Sequence, residues 1–233
     1  MRSQRRLVRP EIASAVLPSL YNGLLAGFHL DEISGNPIDF VGSLSPTLNL
    51  FNGGSQGETG KFDKCIYIDD GQINLNTNSL LGGLSQFTFA AWIKNPQISG
   101  KIPSNIATSL GGSKMYVFAA NLYVDLFIGG IQYNGTFASP AGYSGTPRGD
   151  GFNLALFEWD GTTIRVSVDN QISATTITTP TGTVQKGTSE VIGGGYRSFQ
   201  HAYMFIDEAL YWDRALTTDE KTNLWNNGSG IIL

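Results

Sequence analysis

The chain has 233 residues, of which 41% are hydrophobic and 15% charged, and its formal net charge at pH 7 is -4. This length and composition favour a single globular domain with many turns and exclude a disordered chain. The single cysteine, Cys65, excludes an intramolecular disulfide, and no apolar run is long enough to span a membrane.

The first 20 residues are predicted to form a basic arm. Four of the 15 basic residues precede Pro10, which leaves 15 minus 4, or 11, against 19 acidic residues in the rest of the chain. The arm is therefore basic while the body is acidic. We expect the arm to dock on another subunit of a larger assembly, in preference to nucleic acid, through Arg2, Arg5, Arg6 and Arg9. A solvated, disordered terminus is the alternative.

Short apolar segments separated by turn residues follow from residue 21 onward. They predict strands over residues 24–30, 65–68 and 87–93, and hairpins over 115–128 and 154–168. In the 87–93 segment, Phe87, Phe89 and Ala91 share one face and Trp92 lies on the other. About a dozen short strands with one late helix predict an all-β domain over residues 21–233, a two-sheet antiparallel jelly-roll sandwich.

The periodicity of the sequence changes near its end. Residues 203–212 are aromatic or aliphatic at nearly every position, as in a strand that is covered on both faces. Thr217 and Glu220 then have the spacing of a capping box, and Gly228 lies where a helix stop is expected. The sequence predicts a buried last strand followed by one short capped helix.

These segments resemble the laminin-G-like, concanavalin A-like lectin/glucanase superfamily. Its members end with a strand containing Ile-Asp-Glu and a tyrosine, then Arg-Ala-Leu and a small helix, which resembles residues 206–208, 211 and 214–216 here. The resemblance extends, in the family's order, through residues 24–36, 60–71, 87–94, 154–170 and 192–194. It implies a concanavalin A-like jelly roll.

The resemblance also implies a structural calcium ion. Proteins of this superfamily often hold calcium where the first and last strands meet, using acidic side chains and backbone carbonyls. Asp31 and Asp207 lie in the matching segments and are the candidate metal ligands. The alternative is that Asp31 caps a turn and Asp207 anchors a loop by hydrogen bonds. No other cofactor is expected.

Two clusters of aromatic and polar residues lie in expected loops and are candidates for ligand binding. Aromatic rings can stack on sugar faces while neighbouring amides and carboxylates hold hydroxyl groups, although arginine and aromatic residues in loops also serve protein interfaces. For any one ring, packing within the fold is the competing role. The candidates are Tyr133, Asn134, Tyr143, Arg148, Tyr196, Arg197, Phe199 and His201.

Catalysis is not expected, because the sequence lacks the carboxylate spacing of the superfamily's retaining glycosidases. Those enzymes need two close carboxyl groups, which come from a Glu-x-Asp-x-x-Glu type of motif on one strand. Adjacent acidic residues such as Asp207 and Glu208 are expected to point to opposite faces of a strand. Glu158 and Asp160 share a face, but Asp160 belongs to an Asp-Gly turn.

These features predict a non-catalytic binding or structural module that is displayed on a larger assembly. A virion surface component, such as a bacteriophage decoration or fibre protein with glycan or host-surface contact, fits the basic arm and the resemblance best. A location on the virion surface follows from that prediction. The alternatives are a free secreted, extracellular carbohydrate-binding protein of the lectin type and a glycoside hydrolase.

Overall fold

The computed structural model describes residues 16–77, 80–94, 104–109, 114–118, 121–137, 151–172, 176–193 and 203–233. Within these ranges the chain forms sixteen strands and one α-helix. The strands are β1 (Leu24–Phe28), β2 (Thr47–Asn49), β3 (Ser55–Thr59), β4 (Lys64–Asp69), β5 (Gln72–Asn74), β6 (Phe87–Lys94), β7 (Ser104–Ser109), β8 (Lys114–Phe118), β9 (Asn121–Ile128), β10 (Ile131–Phe137), β11 (Asn153–Trp159), β12 (Thr163–Val168), β13 (Gln171–Ile172), β14 (Ile177–Thr178), β15 (Glu190–Gly193) and β16 (Tyr203–Trp212). The helix is α1 (Thr218–Trp225), and 3-10 turns lie at Pro18–Tyr21 and Asn226–Gly228. None of the helices in these ranges has the length and apolar composition needed to cross a membrane.

The strands pair into two antiparallel sheets. One has nine strands, in the order β13-β12-β11-β6-β16-β4-β3, with β1 paired to β16 and β14 paired to β12 beside this path. The other has seven strands, in the order β10-β9-β8-β7-β15-β5-β2. Strands that are distant in sequence, such as β6 and β16, are neighbours, as in a jelly roll. The predicted all-β, two-sheet fold with one short helix is confirmed.

The main core lies between the two sheets. The strand alternation of β6 places Phe87, Phe89 and Ala91 in this core, where they meet side chains from the seven-stranded sheet such as Leu126. Trp92 belongs to a separate apolar cluster on the other face of the nine-stranded sheet. The predicted division of β6 between two faces is confirmed.

The second apolar cluster covers the outer face of the nine-stranded sheet. The sheet contributes side chains such as Cys65 and Trp212, and the cover above them includes Leu20, Leu224 and Ile231. We call residues 16–22 together with residues 214–233 the terminal cover. Cys65 is fully buried, as predicted, and burial raises the pKa of its thiol to about 12, so the thiol stays protonated and unreactive.

Arg214 ties the two parts of the terminal cover together. Its guanidinium donates two hydrogen bonds to the Glu220 carboxylate, at 2.8 and 2.9 Å. It also donates to the carbonyl oxygens of Ser19 and Asn22, at 2.7 and 2.8 Å. A bidentate arginine–carboxylate pair fixes direction as well as distance, so the N-terminal segment is held in one position against α1.

Two further hydrogen bonds join the ends of the described chain. The indole Nε1 of Trp212 donates to the Leu20 carbonyl at 2.7 Å, and the Leu17 amide donates to Asn223 Oδ1 at 3.1 Å. Residues 16–20, which were assigned to the predicted arm, therefore pack on the domain. The predicted division of the chain into an arm and a domain at residue 21 stays a prediction.

Helix α1 begins as its sequence predicts and ends slightly earlier. The Glu220 amide donates to Thr217 Oγ1 at 3.3 Å, and the Thr217 amide donates to Glu220 Oε2 at 2.8 Å, which confirms the predicted capping box. Asn226, with φ 44°, takes the left-handed position that was expected of Gly228. Gly228, with φ 86°, instead ends the 3-10 turn that follows.

A β-bulge interrupts β16 at Asp207 and Glu208. Here two residues of β16 lie opposite one residue of β6, and Glu208 has φ 50°. The extra residue shifts the alternation, so that Ile206 and Ala209 both face the main core. Asp207 and Glu208 therefore both lie away from that core. The expectation that these adjacent side chains point to opposite faces was wrong, because the bulge breaks the period of two.

Candidate functional site

Several predicted functional residues lie outside the described part of the chain. Among the candidate ligand-binding residues these are Tyr143, Arg148, Tyr196, Arg197, Phe199 and His201. The docking residues outside it are Arg2, Arg5, Arg6 and Arg9. These assignments stay predictions.

The described flanks of the two predicted ligand clusters meet at one end of the nine-stranded sheet. Asn153, the first residue of β11, pairs with Ile93 near the end of β6. Phe205, close to the start of β16, pairs with Lys94, the last residue of β6. The described residues that follow positions 138–150 and 194–202 therefore lie at the same end of the sheet.

Tyr133 and Asn134, the predicted ligand residues that are described, lie side by side on β10. Their side chains point to opposite faces because successive side chains of a strand alternate. Tyr133 is half-buried and packs against the main core. Asn134 is exposed on the outer face of the seven-stranded sheet, where it pairs with Asp125 of β9. Asn134 is thus accessible to a ligand, whereas the Tyr133 ring has a packing role.

Asn134 is part of a mixed aromatic and polar surface on β9 and β10. Val124, Leu126 and Ile128 of β9 face the main core, so the residues between them face outward. The outward cross-strand pairs are Tyr123–Thr136, Asp125–Asn134 and Phe127–Gln132. We call these six residues the hairpin face; its β10 members are exposed and its β9 members half-buried.

A two-glycine turn sets the register of the hairpin face. Gly129 and Gly130 join β9 to β10 with φ 57° and 84°. Two-residue turns in which both φ angles are positive match the twist of the paired strands, and glycine adopts them without strain. This turn places Ile128 opposite Ile131, and the aromatic ring of Phe127 then lies opposite an amide side chain.

The hairpin face has the chemical groups that a saccharide needs. The rings of Tyr123 and Phe127 supply flat apolar surface. Asp125 accepts hydrogen bonds, while Gln132 and Asn134 both donate and accept them. Directly opposed side chains in an antiparallel pair lie about 4.5–5.5 Å apart at Cβ, so each ring has a polar side chain within reach of the same ligand.

The bulge in β16 brings three ionisable groups together. Glu208 is buried and lies 3.0 Å from Nδ1 of His29, and this hydrogen bond is the main reason that the pKa of His29 is raised. Burial raises the pKa of Glu208 and raises that of Asp207 to about 8. Asp207 is therefore mainly protonated at neutral pH.

Asp31 and Asp207, the predicted calcium ligands, both bond to the segment that leads into β4. Oδ1 of Asp31 accepts from the Lys64 amide at 2.8 Å, and Oδ2 of Asp207 accepts from the Lys61 amide at 2.6 Å and the Phe62 amide at 3.3 Å. Oδ1 of Asp207 is buried without a hydrogen-bond partner, so it is the oxygen available to a cation.

The geometry gives a calcium ion few side-chain ligands. The described stretches contain no group of three or more His, Cys, Asp or Glu side chains that could hold a metal. Calcium takes six to eight oxygen ligands, so an ion at Asp31 or Asp207 would depend mainly on backbone carbonyls and water. The calcium site stays a prediction.

Comparison with known proteins identifies the family. Residues 69–220, more than half of the chain, match the profile of a family described as the concanavalin A-like lectin/glucanases superfamily. The chain belongs to this superfamily. The match confirms the resemblance found in the sequence, although no curated protein sequence matches the chain significantly.

Solved structures with the same superfamily fold include the binding domains of bacterial toxins. The binding domain of Paraclostridial Mosquitocidal Protein 1 has a TM-score of 0.69 and 14% identity over 90% of this chain and 53% of its own. That of botulinum neurotoxin serotype D has a TM-score of 0.67 and 11% identity over 89% and 52%. The binding domain of botulinum neurotoxin DC in complex with SialylT has a TM-score of 0.64 and 11% identity over 88% and 51%. The chain spans about half the length of these structures, and at such identities the similarity establishes the fold alone.

Because the superfamily includes glucanases, the carboxylates on the outer face of the nine-stranded sheet are of interest. Glu158 and Asp160 both contact Arg165, and Lys221 Nζ donates to Glu158 at 3.0 Å. Partial burial opposes ionisation of Asp160, but hydrogen bonds from Arg165 and from backbone amides outweigh it and lower the pKa to about 2. Both carboxylates are held by cations, so these side chains form an ion-pair network.

Sequence reasoning missed five of the six members of the hairpin face: Tyr123, Asp125, Phe127, Gln132 and Thr136. A usable signal was present, because Asp125 interrupts an otherwise apolar strand and two glycines follow it. A charge within such a strand marks the outward face, and the glycines mark the turn that pairs this face with β10.

Proposed function

We propose that this chain is a non-catalytic recognition module that binds glycans through the hairpin face. The observation that carries the proposal is the cross-strand pairing of Asp125 with Asn134 and of Phe127 with Gln132. The ring packs on the apolar face of a sugar, while the paired carboxylate and amide hold its hydroxyl groups. This is a lectin-like role within the superfamily.

The descriptions of similar structures support a binding role. They are named as binding domains, and one is in complex with SialylT. Botulinum neurotoxin type C is described as depending on two ganglioside molecules to enter cells. These ligands belong to those proteins, and glycan binding by the present chain is our inference.

The partners of the described carboxylates support the absence of catalysis. Glu158 and Asp160 are paired with cations, while Asp207 and Glu208 are buried at the bulge. Incubation of the purified chain with laminarin-type and other glycans tests this directly. We expect no release of reducing sugar, and hydrolysis that survives repurification would restore the glycoside hydrolase alternative.

The glycan proposal is tested with the purified chain on a glycan array, followed by titration of the best ligand. We expect Phe127→Ala to weaken binding about tenfold or more, as for a central aromatic contact, and Asn134→Ala to weaken it less. Tyr21→Ala is the matched control, because Tyr21 is an exposed aromatic residue of the terminal cover. Equal losses in Phe127→Ala and Tyr21→Ala, or no bound glycan, would contradict the proposal.

We further infer that the module is carried on a larger assembly, such as a virion, by its basic N-terminal segment. The charge contrast between that segment and the acidic body supports this inference. Since residues 16–20 pack on the domain, the informative truncation removes residues 1–15 and keeps Val16. We expect the truncated chain to bind glycans normally but no longer to co-sediment with particles from its native host. A full-length chain that never sediments with particles would favour the free secreted lectin.

A further inference from the structure

The outer face of the nine-stranded sheet carries a row of side chains that pair directly across four strands. Ser55 of β3 pairs with Tyr67 of β4, Tyr67 pairs with Phe205 of β16, and Phe205 pairs with Lys94 of β6. Ile206, which follows Phe205, faces the main core, so the row faces outward.

This row lies one step beyond the region that the terminal cover buries. Cys65 and Trp92 are the next outward residues on β4 and β6, and both are buried in the cluster beneath the cover. Tyr67, Phe205 and Lys94 are only half-buried. The row therefore combines apolar surface with access from solvent.

The row holds an ammonium group against aromatic rings. The rings of Tyr67 and Phe205 stack with their centroids 4.7 Å apart and their planes at 30°. Lys94 Nζ lies 5.1 Å from the centroid of Phe205 and 5.7 Å from that of Phe152. In cation–π contacts of this kind the face of the ring attracts the ammonium but does not neutralise its charge.

Asp169, which follows β12, and Glu58 of β3 bond to other groups. Oδ2 of Asp169 accepts from Asn153 Nδ2 at 2.7 Å, and Glu58 accepts from the Ser55 hydroxyl at 2.7 Å. Among the described residues, Lys94 forms no ion pair with any carboxylate. Within the described ranges, the contacts of its ammonium are those with the two aromatic rings.

We propose that the row of Tyr67, Phe205 and Lys94 binds a carboxylated saccharide. The apolar face of the sugar packs against the exposed part of the Tyr67 and Phe205 rings, and the sugar carboxylate accepts hydrogen bonds from Lys94. Hydrogen bonds between two charged groups are about twice as strong as those between neutral groups, so the carboxylate selects acidic over neutral sugars. This site goes beyond the hairpin face, because it lies on the other sheet and takes a charged ligand.

The experiment compares two probes that differ in one charge, the methyl glycoside of N-acetylneuraminic acid and its methyl ester. Binding is measured by saturation-transfer NMR and by calorimetric titration. We expect the ester to bind about tenfold or more weakly than the acid, because it loses the charge-assisted bond. Lys94→Met, which keeps an apolar side chain but removes the charge, should weaken binding of the acid by a similar factor, and Lys94→Arg should stay within about threefold of wild type.

Two control measurements show whether a loss of binding arises from the row itself. The melting temperatures of the Lys94 variants should match that of wild type, which excludes unfolding as the cause of a loss. Ile131→Ala should bind the acid normally, because Ile131 is exposed on the seven-stranded sheet and belongs to neither the row nor the hairpin face. Equal affinity for acid and ester, unchanged affinity in Lys94→Met, or no saturable binding of the acid would overturn the proposal.

Discussion

The outer faces of the two sheets differ in how completely the protein covers them. On the nine-stranded sheet, the terminal cover buries Trp212 fully, and Arg214 bonds both ends of that cover. On the seven-stranded sheet, the hairpin face leaves Gln132, Asn134 and Thr136 exposed. Large apolar side chains stabilise the fold only when they are removed from water, whereas a mixed aromatic and polar surface tolerates exposure. The covered part of the first face contributes mainly to stability, whereas the second face exposes the groups that we propose for binding.

The largest expected effect is on the covered face. Trp212→Ala should lower the free energy of unfolding by about 3–5 kcal/mol, because it leaves a cavity and deprives the Leu20 carbonyl of its donor. Urea denaturation measures this value. Tyr21→Ala, at an exposed ring of the same cover, should cost less than about 0.5 kcal/mol. A cost below about 1.5 kcal/mol for Trp212→Ala would show that the cover contributes little.

Arg214→Met should cost about 2–3 kcal/mol at neutral pH, since it leaves the buried Glu220 carboxylate without its bidentate partner. The Arg214 hydrogen bond is also the main reason that the pKa of Glu220 falls from 4.5 to about 2. This contribution to stability is present above pH 4.5 and disappears as the pH falls towards 2. The difference between wild type and Arg214→Met should therefore shrink in that interval. If the stability difference between wild type and Arg214→Met does not change with pH, the ion pair with Glu220 is not its cause.

Asp207→Asn should make the protein more stable than wild type at higher pH. The pKa of Asp207 is raised from 3.8 to about 8, so the folded state retains the proton longer than the unfolded chain does. For such a group the stability contribution is full below pH 3.8 and is lost as the pH rises towards 8. Asparagine keeps the oxygen that accepts from Lys61, so the variant should match wild type near pH 4 and exceed its stability by at least about 1 kcal/mol at pH 8. If the free energies of unfolding of wild type and Asp207→Asn change in parallel with pH, Asp207 is not held neutral in the folded protein.

A smaller effect in the same region is expected from calcium binding. Binding at Asp31 and Asp207 would raise the melting temperature of wild type by about 2–4 °C, and a chelator would reverse the rise. Asp31→Asn should abolish this response. Metal analysis after mild chelation completes the test, and no bound calcium together with an unchanged melting temperature would remove the predicted site.

The smallest expected change in stability is on the open face. Phe127→Ala should lower the free energy of unfolding by less than about 1 kcal/mol, because the ring is only half-buried. Under the proposed function, glycan affinity should fall in the same variant. A loss above about 2 kcal/mol, with unchanged affinity, would mean that the ring is part of the packing.

Local patterns were sufficient to predict most of the fold. The alternation of β6 and the capping box at Thr217 depend on residues within one element, and both were confirmed. The packing of Leu17 to Leu20 depends on contacts with residues about 190 positions away, such as Trp212. Helix caps and strand faces can therefore be identified from adjacent residues, whereas the packing of residues 17–20 on the domain could not.

The candidate site was less predictable, because its geometry depends on strand register. Asn134 was selected from its residue type, yet its partner Asp125 becomes apparent only when the Gly129–Gly130 turn aligns the strands. The bulge at Glu208 likewise requires the pairing with β6, which lies more than a hundred residues earlier. Alternation along a strand shows which side chains share a face. It does not show which residue lies opposite on the neighbouring strand.

The position of the terminal cover determines the orientation of the domain relative to anything joined to it. Val16 and Leu233 both pack on the outer side of the nine-stranded sheet, and the hairpin face lies on the far side of the sandwich. A carrier attached at either point would approach from the covered side, with two sheets stacked about 10 Å apart between it and the hairpin. In the display on a particle that we propose, many copies would all present β9 and β10 outward, and weak individual contacts with a glycan surface would add up to strong attachment.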